Sequence, residues 1–430
     1  MSAKAPSSGV SPARACAFTV IRRVFERGAY ADRALAAEAA GLGARDRALA
    51  TRLAYGTVQR RATLDHVARA LVGRNLESLD PPVLAALRLG LFQILLLAGV
   101  ADHAAVNESV ELAKGAHGGG FKLVNAVLRR ATREGQAILD GLDDSSPEGA
   151  AILHSVPEWL ARLWWSELGS VQARALLTRV NEPPESSVRV NRLVATPEQV
   201  LARLGVDARP AEEIPEGLVL DGPFDAYGSE LWQSGAIMPQ SRASMLVARI
   251  LAPEPGERVL DLCAAPGAKT THLAALMDGA GEVVAVDRNA RRADSLRQTC
   301  ARMHATCVRV EHGDAAVART DAPFDRVLVD PPCSGLGTLQ SRPDIRWRSS
   351  PWDLATLSAI QTAILAAGAA ATAPGGVLVY SVCTITRAEG EGVISGFLAG
   401  HPDFVLERRR QLMPQLEGTD GFFIARLRRS

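Results

Sequence analysis

Between Ala13 and about Leu142, apolar residues recur three and four positions apart: Phe18, Ile21 and Phe25; Leu84, Leu87, Leu91 and Leu95; Val106, Val110 and Ala113. That spacing stacks each set on one helix face and predicts an all-helical segment. Breaks are expected at Gly28, Gly41–Gly43, Pro81–Pro82 and Gly118–Gly120. Residues 1–12 (MSAKAPSSGVSP) are small, polar and Pro-containing, the composition of a disordered tail.

The period changes further along. Asp143–Glu148 reads as an acidic linker, and a helix is expected from Pro157 to about Val180. Ser187–Asn191 alternates like a strand. A helix should start at Pro197, with Thr196 as its cap and Gly205 just past its end. Short β-like pieces continue to about residue 240. From Leu251 apolar strand patterns alternate with helical ones: strands at Arg258–Leu262, Glu282–Val286, Thr306–Glu311, Arg326–Val329 and Val377–Tyr380, helices from Ala268 and from Ala290 to Met303. Such alternation implies right-handed crossovers and a mostly parallel sheet with helices on both faces. The expected organisation is multidomain: a tail over 1–12, an all-α domain over 13–142, a linker and small α/β module over 143–250, and a Rossmann-like α/β domain over 251–430. No internal repeat is visible.

Composition sharpens this outline. With 430 residues, 47% hydrophobic and 22% charged, the chain can bury several cores and does not read as disordered. The longest apolar run, Leu89–Val100, is interrupted by Gln93 and falls short of the ~18 residues a membrane span needs. Lys4 is followed by no apolar stretch, so no signal peptide is expected. Six cysteines without a C-x-x-C argue against a disulfide scaffold or a metal site and for a reducing, cytoplasmic setting. A monomer is expected. The net charge of +1 hides a gradient: residues 1–135 carry 19 Lys and Arg against 11 Asp and Glu, net +8, and the rest sums to −7. A basic first third suggests nucleic-acid contact there. Only four lysines occur, and Lys269 is the single one in the last 308 residues, where arginine serves every other basic position.

In an open parallel sheet the site lies beyond the carboxyl ends of the strands. Those ends hold Asp261 with the Cys263–Lys269 loop, Asp287, Asp314, Asp330 with Cys333, and Cys383. One aspartate closing a strand is often only a cap; four at successive ends are harder to dismiss. The loop DLCAAPGAK lacks both G-x-G-x-x-G and the P-loop arrangement, which disfavours a phosphate cradle. Asp287 is placed to accept from ribose hydroxyls and Asp314 to meet an exocyclic amine. This is a nucleoside layout without a pyrophosphate site, favouring S-adenosylmethionine over a dinucleotide.

Asp261-Leu-Cys-Ala-Ala-Pro-Gly-Ala-Lys-Thr-Thr, Asp330-Pro-Pro-Cys-Ser-Gly, Arg342-Pro-Asp-Ile-Arg-Trp, Tyr380-Ser-Val-Cys-Thr and Asp420-Gly-Phe-Phe together resemble the RNA cytosine-5 methyltransferase family of Sun/Nop2 type. The helical segment resembles the RNA-binding factor NusB at Arg45-Asp-Arg-Ala, Leu87-Arg-Leu-Gly-Leu-Phe-Gln, Asn107-Glu-Ser-Val-Glu and Asn125-Ala-Val-Leu-Arg-Arg. The likeness runs from about residue 13 to 430. It implies methylation of cytosine C5 in 16S rRNA, with S-adenosylmethionine as cofactor. It assigns Cys383 to attack on C6, Cys333 to release, Asp330 to the base edge, and Lys269 to a place between base and cofactor. It carries over Cys263, Ala264, Ala265, Pro266, Gly267, Ala268, Lys269, Asp287, Asp314 and Asp330 as cofactor contacts.

Two departures stand out: Ala268 replaces the second Gly of the usual Pro-Gly-Gly-Lys, and Val382 replaces the usual Thr. Arg342 and Arg346 are candidates to grip RNA phosphate, against a structural ion pair. Cys16, Cys300 and Cys307 read as small buried apolar residues, and Trp164–Trp165 as core packing. Two other readings stay open: the same chemistry on another RNA (tRNA or 23S rRNA), and a non-catalytic RNA-binding or ribosome assembly factor. The presence of both cysteines, four aspartates and Lys269 speaks against the second.

Overall fold

The computed structural model describes residues 9–73, 75–115, 119–321 and 323–430. Residues 1–8 of the expected tail and Gly118 of the expected break lie outside them. The described end of that tail is structured: Ser11 precedes the first helix and bonds Glu108 through its backbone N–H and its hydroxyl, both at 2.7 Å. The chain forms two compact units. One runs to Glu182 and takes in Leu339–Ser349; the other comprises Pro183–Thr338 and Ser350–Ser430.

The first unit is helical: Pro12–Arg27, Ala31–Glu38, Ala44–Gln59, Arg61–Val72, Pro81–Leu95, Asp102–Ala113, Gly120–Asp140, Pro147–Leu153 and Glu158–Arg179. Proline opens helices where its missing N–H costs nothing, at Pro12, Pro81 and Pro147. The expected linker is therefore shorter than the composition suggested. Ser146 caps a helix that already contains Glu148, its hydroxyl accepting from the Gly149 N–H at 3.1 Å. The helix over 158–179 is interrupted at Gly169, whose φ of 77° is not helical. Trp164 is wholly buried, so core packing is its role.

Leu339–Ser349 completes this unit from far along the chain. Arg346 is wholly buried. Its guanidinium donates to the carbonyls of Ser155 (3.0 Å), Val180 (3.1 Å) and Leu339 (3.3 Å) and to Oδ1 of Asn181 (3.0 Å). Trp347 Nε1 donates to the Val58 carbonyl at 2.7 Å. Burial pulls the Arg346 pKa down to about 9, still high enough to keep it charged at neutral pH.

The second unit holds two sheets. The smaller is antiparallel, ordered β2-β3-β1-β4, from β1 (Ser186–Val190), β2 (Ala208–Ala211), β3 (Ile214–Leu220) and β4 (Ile237–Pro239). Thr196 caps the helix after β1 as expected, but that helix ends at Leu201. The larger sheet comprises β5 (Arg258–Leu262), β6 (Glu282–Asp287), β7 (Val308–His312), β8 (Phe324–Val329), β9 (Thr372–Val382), β10 (Phe404–Leu412) and β11 (Phe422–Arg429). Its order is β10-β11-β9-β8-β5-β6-β7; β5 to β9 pair in parallel, and β11 runs antiparallel to both β9 and β10. The two last strands were not anticipated, because β10 reads FVLERRRQL and its charged middle hides the alternation.

Side chains alternate between two apolar layers. Leu260, Val327, Val329 and Tyr380 face one; Val259, Leu328 and Val379 face the other. The strands are covered on both faces, which is why they read as continuous apolar runs. The helix Pro351–Ala371 is long and apolar enough, by length and composition, to cross a membrane, unlike the run at Leu89–Val100. It packs on β8 and β9, with Gly368 so close to the sheet that a Cβ there would stand 2.7 Å from Val329.

Arg346→Met would remove the donor to four acceptors, of which the Val180 carbonyl still has Gln59 Nε2 at 3.0 Å. Urea unfolding of the full chain is expected to show the helical unit weakened by about 3 kcal/mol. An unchanged midpoint would contradict the buried clamp.

Candidate active site

The site grows from the ends of β5, β8 and β9. Asp261, inside β5 and only 1% exposed, accepts from Thr270 Oγ1 at 2.6 Å, and its other oxygen has no partner among the described residues. Burial pushes its pKa up to about 7; the Thr270 hydrogen bond pulls it down and the charge of Asp330 pushes it further up. Beyond β5 the chain turns sharply. Cys263 adopts a left-handed φ of 67°, unusual for a residue with a Cβ, and Gly267 follows at 106°. Glycine is required at 267 on two counts, because a Cβ there would also stand 2.7 Å from Leu296 Cδ1. The turn opens the helix Ala268–Leu276.

Lys269, on the first turn of that helix, reaches Asp330 at the end of β8: Nζ to Oδ2 is 2.7 Å. It also lies 5.3 Å from the ring centre of Phe422. Burial works against its charge, but the charge of Asp330 and the hydrogen bond to it outweigh burial, and the lysine pKa rises. The other oxygen of Asp330 accepts from Ser381 Oγ at 2.8 Å, which ties β8 to β9. Cys333 stands three residues beyond Asp330 and Cys383 two beyond Ser381, and their sulfurs are 3.2 Å apart. The hydrogen bond with Cys383 and then burial hold the Cys333 thiol well above its ordinary range. At that separation the two sulfurs cannot comfortably both be anionic.

Beside this cluster is a cleft of about 200 Å³ lined by Cys263, Asp287, Arg288, Arg292, Asp314, Ala315, Ala316, Pro332, Ile360, Ala363 and Ile364. Asp287 closes β6; it accepts from the Asn289 N–H at 2.9 Å and lies 3.3 Å from Arg292 Nη2. Asp314 follows β7 and accepts from the Ala316 N–H at 3.0 Å. The sequence-predicted residues thus gather in two adjoining places: Lys269, Asp330, Cys333 and Cys383 in one, and Cys263, Asp287 and Asp314 around the cleft. Ala264 and Ala265 are buried in the turn, and Pro266 is exposed. Ala268 offers its carbonyl to Arg189 Nη2 at 3.3 Å. Val382 is wholly buried in the sheet core, where a methyl group suits the surroundings.

Arg346 is a correction. Its guanidinium is buried and spent on four acceptors within the helical unit, so it is not offered to RNA phosphate. Arg342 lies in the same unit with its guanidinium 6.0 Å from the Tyr30 ring centre; Arg348 (4.0 Å) and Arg33 (4.8 Å) approach the same ring. Sequence reading missed Ser381, Arg292 and Glu389. Ser381 lay within the Tyr380–Thr384 motif, whereas Glu389 stood in a polar stretch with nothing to mark it.

A parallel sheet with acidic strand ends beside a nucleoside-sized cleft is the architecture of a Rossmann-like methyltransferase, here attached to a helical NusB domain. Residues 248–428 match the family model described as 16S rRNA methyltransferase RsmB/F, residues 11–133 match the NusB family, and residues 156–227 match the ferredoxin-like domain of RsmF/B-like methyltransferases. The probable ribosomal RNA small subunit methyltransferase B of Bacillus subtilis is 35% identical over 90% of this chain and 92% of that protein. Ribosomal RNA small subunit methyltransferase B of Thermus thermophilus is 39% identical over 90% of this chain and 89% of that protein. The crystal structure of PH0851 superposes with a TM-score of 0.84 at 28% identity, covering 97% of this chain and 99% of that one. The chain belongs to the RsmB/F family of 16S rRNA methyltransferases.

Asp261 binds its proton more tightly folded (about 7) than at its ordinary value of 3.8. Its stabilising contribution is therefore full below about pH 4 and is lost as pH rises through 7. Asp261→Asn has no such titration. Comparing urea unfolding at pH 5 and pH 8, the variant is expected to gain on the wild type by about 2 kcal/mol. Parallel pH dependence of the two would show that Asp261 is ionised throughout.

Proposed function

We propose that the protein methylates C5 of a cytosine in 16S rRNA through a covalent bond between Cys383 and C6, with S-adenosylmethionine as methyl donor. The observation that carries this reading is the pair of sulfurs 3.2 Å apart beside the Lys269–Asp330 ion pair. Cytosine C5 is too weak a nucleophile to take a methyl group unaided, and a thiolate added at C6 makes it enamine-like.

The cleft suits the cofactor. Asp287 at the end of β6 would take the ribose hydroxyls and Asp314 the exocyclic amine. Pro332 and Ile364 offer an apolar wall for the base, and the Cys263–Lys269 turn the close backbone approach. When bound, the cofactor supplies its methyl group as a sulfonium electrophile. The chain's own residues do the rest. Lys269 attracts the Cys383 thiolate, and that attraction is one reason the lysine keeps its proton. Asp330 holds the N3/N4 edge of the base. The sulfur of Cys383 bonds to C6 and the C5–C6 π pair moves to C5, which would then bond the methyl group as its bond to the donor's sulfur breaks, leaving a neutral thioether. Once bound to carbon, the sulfur of Cys383 no longer carries charge, which weakens two of the causes holding the proton on Cys333, the hydrogen bond with Cys383 and the Cys383 charge. Cys333 gives that proton up to solvent and takes the C5 proton; the double bond re-forms and Cys383 leaves as thiolate.

For RNA docking, the Arg33, Arg342 and Arg348 guanidiniums around Tyr30 combine cations with an aromatic face; Arg33 and Tyr30 come from the basic first third of the chain and the other two arginines from the Leu339–Ser349 segment of the same unit.

Cys383→Ala should abolish methyl transfer to 16S rRNA and leave cofactor affinity within about twofold, whereas Cys333→Ala should accumulate a protein–RNA adduct that survives denaturing gels. Turnover by the first variant, or no adduct with the second, would sink the assignment.

In the full chain, Arg33→Ala/Arg342→Ala/Arg348→Ala is expected to weaken binding of a 16S rRNA fragment at least tenfold and to flatten its dependence on log salt by about 2. An unchanged salt slope would place the RNA contacts elsewhere.

A further inference from the structure

Two chemically identical side chains at one site need something to tell them apart. Glu389 is wholly buried. Its Oε1 accepts from the Ser334 N–H (2.8 Å) and Gln361 Nε2 (3.0 Å); its Oε2 accepts from the hydroxyls of Ser334 (2.5 Å), Thr386 (2.9 Å) and Thr384 (3.2 Å). Ser334 follows Cys333 and Thr384 follows Cys383, so one carboxylate holds the loops of both cysteines. The Glu389 carbonyl also accepts from the Tyr380 hydroxyl at 2.6 Å. All five donors to the carboxylate are neutral, and among the described residues it has no ion pair. A buried charge without a counter-ion is costly and uncommon, even when fully hydrogen-bonded. Two of its five donors come from Ser334, the residue after Cys333, and one from Thr384, the residue after Cys383.

We propose that Glu389 is the positioning residue that assigns the cysteines their roles, tying both loops to one point and setting a fixed negative charge on the Cys333 side while Lys269 sets a positive one on the Cys383 side. The proposal rests on the reading of Cys383 as the attacking sulfur. The electrostatics agree: after the Cys383 hydrogen bond, burial and the charge of Cys383, the charge of Glu389 is the next cause raising Cys333, and Cys383 is among the causes that raise Lys269. Glu389→Gln keeps the shape, since the hydroxyls of Ser334, Thr384 and Thr386 can turn to accept from the new amide.

The test uses the full chain and two readouts. Iodoacetamide labelling of Cys333, followed by peptide mass spectrometry across pH 6–11, is expected to shift its midpoint down by about one pH unit in Glu389→Gln. Turnover at saturating RNA and cofactor is expected to fall about tenfold or more, with cofactor KM within about twofold. An unmoved labelling profile overturns the proposal whatever turnover does, and a moved profile with unchanged turnover overturns its catalytic consequence. Should Glu389→Gln fail to fold, Ser334→Ala/Thr386→Ala removes two donors and retains the charge. Its Cys333 profile is expected to match wild type, and a downward shift would show that loop order rather than charge governs the thiol. Labelling needs no RNA, so a shifted profile in a protein that methylates no cytosine would refute the proposed reaction and leave the electrostatic role of Glu389 standing.

Discussion

The ion pair between Lys269 and Asp330 is the interaction on which the catalytic unit turns. It joins the helix after β5 to the end of β8, and through Ser381 it reaches β9, so three neighbouring strand ends are fixed by one pair of charges. Breaking such a pair from one side would leave a charge stranded in a half-buried place, which is why lysine and aspartate must be read together. It also accounts for a lysine at this position in a chain whose other basic positions are nearly all arginine. A compact ammonium can enter between a carboxylate and the face of Phe422, where the wide fork of an arginine would need more room.

Arginine serves a different purpose here. Arg189, on β1 and wholly buried, donates to Gln240 Oε1 and Thr271 Oγ1, both at 2.9 Å, and to the Ala268 carbonyl, linking the small sheet to the helix that carries Lys269. Nearby, Glu216 bridges Arg249 and His272; burial and then the charge of Arg189 lower the histidine pKa to about 4, so it is neutral at physiological pH. Planar, many-toothed donors suit the task of binding several carbonyls at once. In an arginine-rich sequence such anchors are indistinguishable from surface charges until the acceptors are known, which is why Arg346 read as an RNA contact.

Much of the architecture was legible because its signals are local. The β5, β6 and β8 patterns are apolar on both faces, Asn289 caps its helix with an accepted hydrogen bond at 3.1 Å, and the Ala-Ala-Pro-Gly turn announces a bend. The strand-end rule then located Asp287, Asp314, Asp330 and both cysteines without knowledge of their partners. What stayed hidden is non-local. β10 carries Glu407 and three arginines in a row, which obscure an edge strand paired on one side only. Glu389 and Ser381 matter through contacts that no spacing records. The cysteine pairing itself spans 50 residues and is created by the parallel order of β8 and β9.

The placement of Leu339–Ser349 in the helical unit bears on how the protein comes into being. Arg346 meets Val180 across 166 residues of sequence. At about 5–20 residues per second of synthesis, that interval is on the order of ten seconds or more. During it the nascent helical unit waits on the ribosome without the Arg346 donor to Ser155, Val180 and Asn181. An enzyme of the RsmB/F family thus closes its first-made half only after β5 to β8 and the Cys333 loop have followed it out of the exit tunnel.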